Sequence, residues 1–184
     1  MINQVEAQNI LQDFLRIESV TPDAKKSFDF LEKLFKKYNF EIHRVKFGSA
    51  DTMEVENMFA IIGSGSPHLN FAGHVDVVPP GELNSWKHPP FSGHIEDGII
   101  YARGAEDMKG AVIASIVAGI NYYEKMDSKG TLSYMLTGDE EGVAINGTEP
   151  LVKWVNDQGI KINDCIVTEP TNKELIGDNI KIGR

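Results

Sequence analysis

The sequence predicts a layered α/β sandwich. Apolar segments with helical spacing alternate with strand-like ones along the chain, and four short segments rich in metal-binding side chains fall at the ends of those elements. In an open sheet of this kind, ligand sites form where loops from separate strands converge beyond the strand ends. The 184 residues, 41% of them hydrophobic, hold enough apolar material for one core, so one domain is expected.

Ile10, Leu11, Phe14 and Leu15 recur at helical spacing, and Ser19-Val20-Thr21-Pro22 closes that first helix because the residue before a proline disfavours helical backbone. Phe28, Leu31, Leu34, Phe35 and Tyr38 make the stripe of a second helix, with Lys33, Lys36 and Lys37 turned to water. Residues 40–47 alternate as a half-buried strand does, and residues 57–62 form another strand that stops at Gly63-Ser64-Gly65-Ser66-Pro67. A short strand over 69–72 leads into His74, followed by a proline- and glycine-rich ordered loop over 78–92 that holds Trp86. Val112, Ile113, Ile116, Val117 and Ile120 mark a largely buried helix over 109–125. A central strand over 131–136, a helix over 148–155 and a short buried strand over 165–167 complete the pattern.

Charge and composition exclude several function classes. Asp and Glu outnumber Lys and Arg by 27 to 18, the net charge is -9 and no basic stripe offsets it, so nucleic acid is not the expected partner. Residues 1–16 are polar and amphipathic, and no apolar run approaches the ~20 residues of a membrane span, which predicts a cytoplasmic protein without membrane contact. The single cysteine, Cys165, has no internal disulfide partner, in keeping with a reducing compartment, and its apolar setting predicts a packed core residue.

The four segments are His74-Val75-Asp76, Asp107-Met108-Lys109-Gly110, Asp139-Glu140-Glu141-Gly142 and Glu169-Pro170-Thr171. One imidazole with several carboxylates suits zinc or a similar divalent ion, and the excess of carboxylates is enough for two. Alone, each segment has a plain reading: a histidine after a strand is usually structural, and an acidic turn is usually solvated. Their coincidence at element ends outweighs those readings, because two ions about 3.5–4 Å apart need ligands from several loops. His43, His68, His88 and His94 lack that support and stay outside the shell. Residues 104–110 lack the Gly-Lys-Ser/Thr order of a phosphate loop, which excludes a nucleotide site.

Chemistry then divides the roles. Asp76 leaves an extended backbone on the same face as His74, which suits it to orient the imidazole rather than to bind metal. Asp107 is short enough to bridge two ions, leaving Glu141 for one and His74 with Glu169 for the other. Glu140, beside a ligand, is placed to take a proton from a water attacking a carbonyl and return it to the leaving amine, which is amide hydrolysis.

Residues 73–79 (Gly-His-Val-Asp-Val-Val-Pro), residues 101–110 (Tyr-Ala-Arg-Gly-Ala-Glu-Asp-Met-Lys-Gly), Asp139-Glu140-Glu141-Gly142 and Glu169-Pro170-Thr171 resemble the signatures of the dinuclear zinc aminoacylase and carboxypeptidase family, along nearly the whole chain. The resemblance implies a zinc-exopeptidase-like catalytic domain: a three-layer sandwich of a mainly parallel mixed sheet with helices on both faces. It implies His74, Asp107 and Glu169 on one zinc, Asp107 with Glu141 on the other, cobalt as a possible replacement in one site, Glu140 as base and acid, Asp76 as an active-site carboxylate, and a cis peptide between Asp107 and Met108. Residues 86–91 ending in Pro-Pro-Phe, Asn146-Gly147-Thr148, and Leu175-Ile176-Gly177-Asp178 resemble the desuccinylase branch, although the acetylornithine deacetylase branch shares most of the metal signatures. The chain departs from the family at Ala102, where glycine is usual, and at Glu106, where a small residue is usual.

Enzymes with these signatures continue into a lid and dimerisation domain and return to the catalytic domain with a final histidine ligand. Residues 1–184 are therefore expected to be the N-terminal portion of the catalytic domain, with one metal short of a ligand and little activity, and the homodimer is expected to depend on the absent domain. Arg103, Lys109 and Lys87 are the basic side chains near the motifs available for a small substrate carrying a carboxylate.

Overall fold

The computed structural model describes residues 1–125, 130–171 and 174–175. Residues 176–178 of the third desuccinylase-like stretch lie outside them. Helix α1 (Gln4–Leu15) starts at Asn3, whose side-chain oxygen accepts the Glu6 N–H at 3.0 Å and so satisfies one of the amides a helix start leaves without a partner. Helix α2 (Lys25–Lys37) buries Phe28, Leu31, Leu34 and Phe35 and exposes Lys33, Lys36 and Lys37, as its stripe predicts.

Strands β1 (Glu41–Ser49) and β2 (Thr52–Ser64) pair antiparallel and run longer than the sequence pattern shows. The apolar signal marks β2 only where it is covered on both faces, at Met58, Phe59 and Ala60; its polar first half is a strand because β1 supplies backbone partners. Strand β3 (His68–His74) follows, then β4 (His94–Glu96), β5 (Ile99–Tyr101), α3 (Gly110–Lys125), β6 (Gly130–Thr137), α4 (Thr148–Asp157) and β7 (Asp164–Val167). The apolar pattern does not predict the hairpin β4–β5. Its signal is Asp97-Gly98, both left-handed at φ 51° and 77°, the two-residue turn that matches strand twist.

The main sheet has the order β1-β2-β6-β3-β7. It is antiparallel at β1, β2 and β6 and parallel across β6, β3 and β7, the half that carries the site. Alternation along each strand divides its residues between two faces. Met58, Ala60, Tyr134 and Leu136 pack with α1, α2 and α3 on one face, while Phe59 and Met135 pack with Leu151 and Val155 of α4 on the other. This gives three layers. The apolar helix α3 lies close to the sheet at Gly119, where a Cβ would sit 2.1 Å from the Tyr134 hydroxyl oxygen. Tyr134 is fully buried, with its hydroxyl donating to the Ser115 carbonyl at 2.9 Å, so that ring has no room to yield.

Two expectations fail at β7. Cys165 and its neighbours are exposed rather than buried, with Ile166 at 45% and Val167 at 61%. An apolar run says that a strand can be buried, whereas burial itself needs cover, and among the described residues β7 pairs only with β3. No helix of the described residues is long and apolar enough to cross a membrane.

Candidate active site

Because β6, β3 and β7 run parallel, their C-terminal ends lie side by side. His74 pairs with Thr137 across β3 and β6, and Ala72 pairs with Val167 across β3 and β7, so residues 139–141 and Glu169 leave the sheet on either side of His74. Asp107 arrives from the segment before α3. His74 is only 1% exposed; its Nδ1 lies 2.9 Å from the Asp76 carbonyl oxygen, to which it must donate. That fixes a proton on Nδ1 and turns Nε2 toward the carboxylates, where it carries a proton in the metal-free protein and would offer a lone pair to a metal. Nε2 lies 3.0 Å from Asp107 Oδ1, 3.5 Å from Glu169 Oε1 and 4.0 Å from Glu140 Oε2.

These distances fit a metal ion. A tetrahedral ion about 2.1 Å from each ligand atom holds those atoms about 3.4 Å apart, and the contacts of Nε2 with Asp107 and Glu169 bracket that separation. Ligand atoms of His74, Asp107 and Glu169 lie within 4.8 Å of one another, and so do those of His74, Glu140 and Glu141. Asp107 and Glu141, expected to share an ion, do not fall in one three-residue cluster among the described residues. Burial first and the Asp107 charge second raise the Glu141 pKa, the mark of carboxylates that repel until a cation offsets them.

Asp76 reaches beyond the imidazole it is expected to orient. It is the backbone carbonyl that holds the imidazole, while the carboxylate, 0% exposed, accepts the N–H groups of Glu140 at 3.2 Å and Glu141 at 3.1 Å. Its nearer oxygen is 3.6 Å from His74 Nδ1. Burial alone would raise the Asp76 pKa, but His74 and the two amides outweigh it and hold the group ionised below the usual carboxylate range. Asp76 thus fixes the backbone of the acidic pair.

For His74, burial opposes the charged form, yet Asp76 and then Glu169 lift its pKa to about 9. The raised value means that protonated His74 stabilises the metal-free fold fully below its ordinary 6.5, a contribution lost as pH rises through about 9. A metal must displace that proton. Zinc affinity should therefore rise roughly tenfold per unit between about pH 6 and 8. Competition against a chelator, corrected for the chelator's own protonation, measures this, and a flat profile would exclude His74 as a ligand that carries a proton when metal-free.

The remaining motif residues build the loops. Asp139 is buried; Thr21 Oγ1 donates to it at 3.0 Å and the Ala144 N–H at 3.1 Å. Gly142 passes so close that a Cβ would lie 2.2 Å from Asp139 Oδ1. In the segment Ala105–Lys109, Asp107 (φ -114°, ψ 101°) and Met108 (φ -129°, ψ 22°) leave helical geometry, and the peptide between them is cis, as the family resemblance implies. Met108 packs under Gly73, where a Cβ would meet its terminal carbon at 2.5 Å, and its sulfur accepts the His74 N–H at 3.2 Å. Glu106 is exposed.

Among the described residues, Arg103, Lys109 and Lys87 do not form a cluster for a substrate carboxylate. Lys109 is fully buried, its ammonium donating to the Ile17 carbonyl at 2.8 Å and lying 4.9 Å from the centre of the Phe14 ring. Burial lowers its pKa to about 7 against the pull of Asp76. Arg103 lies over Trp86 at 5.0 Å, and Lys87 pairs with Glu96. His68 is a core histidine, satisfied by Ser133 at 2.7 Å and the Lys161 carbonyl at 3.0 Å.

A three-layer α/β fold with a histidine and several carboxylates gathered at the ends of its parallel strands is an arrangement that could hold divalent ions. Residues 70–183 match the model of peptidase family M20/M25/M40, and the chain belongs to that family. Over its full length it is 47% identical to a succinyl-diaminopimelate desuccinylase of Rhodopseudomonas palustris (strain TIE-1), covering 48% of that protein. It is 46% identical over 97% of its length to one of Bradyrhizobium sp., covering 47%. The chain spans about half the length of the curated relatives it matches. Among solved structures, 90% of the chain matches 38% of an M20 family metallo-carboxypeptidase from Sulfolobus solfataricus (TM-score 0.77, 24% identity). Likewise, 91% of the chain matches 39% of human carnosine dipeptidase 1 (TM-score 0.76, 23% identity). These likenesses bear out the fold that the family signatures imply.

Proposed function

We propose that the chain is the N-terminal portion of the catalytic domain of a metal-dependent amide hydrolase that converts N-succinyl-LL-2,6-diaminopimelate and water to succinate and LL-2,6-diaminopimelate, a step of lysine biosynthesis. The observation that carries the chemistry is the gathering of Asp107, Glu169 and Glu140 within 4.0 Å of His74 Nε2. Identity of 47% with a desuccinylase over the whole chain supports the substrate.

In this reading His74, Asp107 and Glu169 would hold one zinc, and Asp107 with Glu141 would contribute to a second, where cobalt could substitute. Such ions would supply polarisation of the scissile carbonyl and a more acidic water. Glu140 takes the proton of the attacking water and returns it to the leaving amine. Asp76 keeps Glu140 and Glu141 in register through their amides, and the Asp76 carbonyl keeps the imidazole turned toward the carboxylates. In the same reading a lid and dimerisation domain belongs to the remainder of the whole protein, which works as a cytoplasmic homodimer on a small-molecule substrate.

The test is kcat/KM for N-succinyl-diaminopimelate against N-acetylornithine. Protein of the relatives' full length should strongly prefer the succinyl substrate, while the 184-residue chain should turn over little of either. A preference for N-acetylornithine would move the protein to the deacetylase branch, and near-full activity in the short chain would remove the role given to the other half.

A further inference from the structure

We propose that the protein binds a further divalent ion of the borderline first-row type, zinc among them, between the β4–β5 hairpin and the loop before it, through His88 of the loop and His94 and Glu96 of β4. Their ligand atoms lie within 4.8 Å of one another, and the three share no residue with the His74 cluster. Two imidazoles with one carboxylate form a ligand set that zinc accepts, with a fourth position left for water.

His88 and Glu96 lie close enough to share one ion. His88 Nε2 is buried without a hydrogen-bond partner and faces Glu96 Oε2 at 3.5 Å. That is too long for a strong hydrogen bond, yet a tetrahedral ion holds two ligand atoms about 3.4 Å apart. The His88 and His94 rings stack with centroids 3.8 Å apart and planes 24° from parallel, so binding one ion requires one ring to turn about its side-chain torsions until both in-plane lone pairs meet at the ion. Tyr101 closes the other side of His88, with ring centroids 5.0 Å apart.

Lys87 is the charged group that competes. Its ammonium pairs with Glu96 and lies 5.4 Å from the centre of the Tyr101 ring. The Lys87 side chain is exposed, and a carboxylate has two oxygens, so Lys87 can release Oε2 without leaving Glu96. An ion at this place would clip the loop carrying Trp86 to the hairpin, where one backbone hydrogen bond, Arg103 N–H to the Pro90 carbonyl at 2.7 Å, already joins them.

Zinc titration against a chelator tests the site without relying on turnover. Wild-type protein should bind one zinc more than His94→Ala, and Glu96→Gln should weaken that ion by at least about tenfold. His74→Ala should keep it, and in that variant zinc should shift the ring proton resonances of His88 and His94. Lys87→Met removes the competitor but no ligand and should bind at least as tightly as wild type. Unchanged zinc content in His94→Ala, unmoved ring resonances, or weaker binding in Lys87→Met would each overturn the site.

Discussion

Glu140→Gln is expected to retain the metal ions and lose about 10²–10⁴-fold in kcat, the usual contribution of a positioned general base. The substitution preserves shape and leaves in place the backbone N–H that Asp76 holds at 3.2 Å. It removes only the ability to accept a proton. The measurement, on protein of the relatives' full length, pairs turnover of N-succinyl-diaminopimelate with metal content on the same sample, because the structure also groups Glu140 with His74 and Glu141. Loss of an ion would make Glu140 a ligand, and wild-type turnover would remove it from the mechanism. Either result would break the division of labour between neighbouring glutamates.

Asp107→Ala is expected to weaken both ions by more than about 100-fold each, since loss of a ligand exceeds the 10- to 100-fold cost of losing a supporting hydrogen bond. Glu141→Gln should affect one ion. Asp107 is 45% exposed, so its truncation leaves no cavity in the core and the far-ultraviolet circular dichroism should not change. Chelator competition on both variants separates a bridging aspartate from a terminal one. A single weakened ion in Asp107→Ala would rule out the bridge.

What the sequence made legible follows from how local each signal is. The α2 stripe of Phe28, Leu31, Leu34 and Phe35 is read correctly because one helix face meets one core. The strand ends carrying His74, Glu140, Glu141 and Glu169 are also found, since each strand stops at a recognisable change from apolar to acidic residues. The three-residue strands β4 and β5 are too short for alternation to register, and only Asp97-Gly98 marks them. Cys165 is misread because burial depends on which neighbours cover a strand, a property of the sheet rather than of the run. Spacing places Asp76 beside His74 but cannot show its carboxylate gripping amides 64 and 65 residues further along. The charge of Lys109 suggests an exposed recognition group; instead its buried ammonium donates to the Ile17 carbonyl at 2.8 Å and the Phe14 carbonyl at 3.4 Å, at the end of α1.

The central claim is that residues from four separate segments form a metal cluster with a base beside it. Anomalous diffraction at the zinc edge from crystals of zinc-loaded protein tests it most directly. The expected map has one ion bonded to His74 Nε2, Asp107 and Glu169 and another bonded to Asp107 and Glu141, with Glu140 bonded to neither. An ion that avoids His74, or one bonded to Glu140 in place of Glu141, would contradict the account.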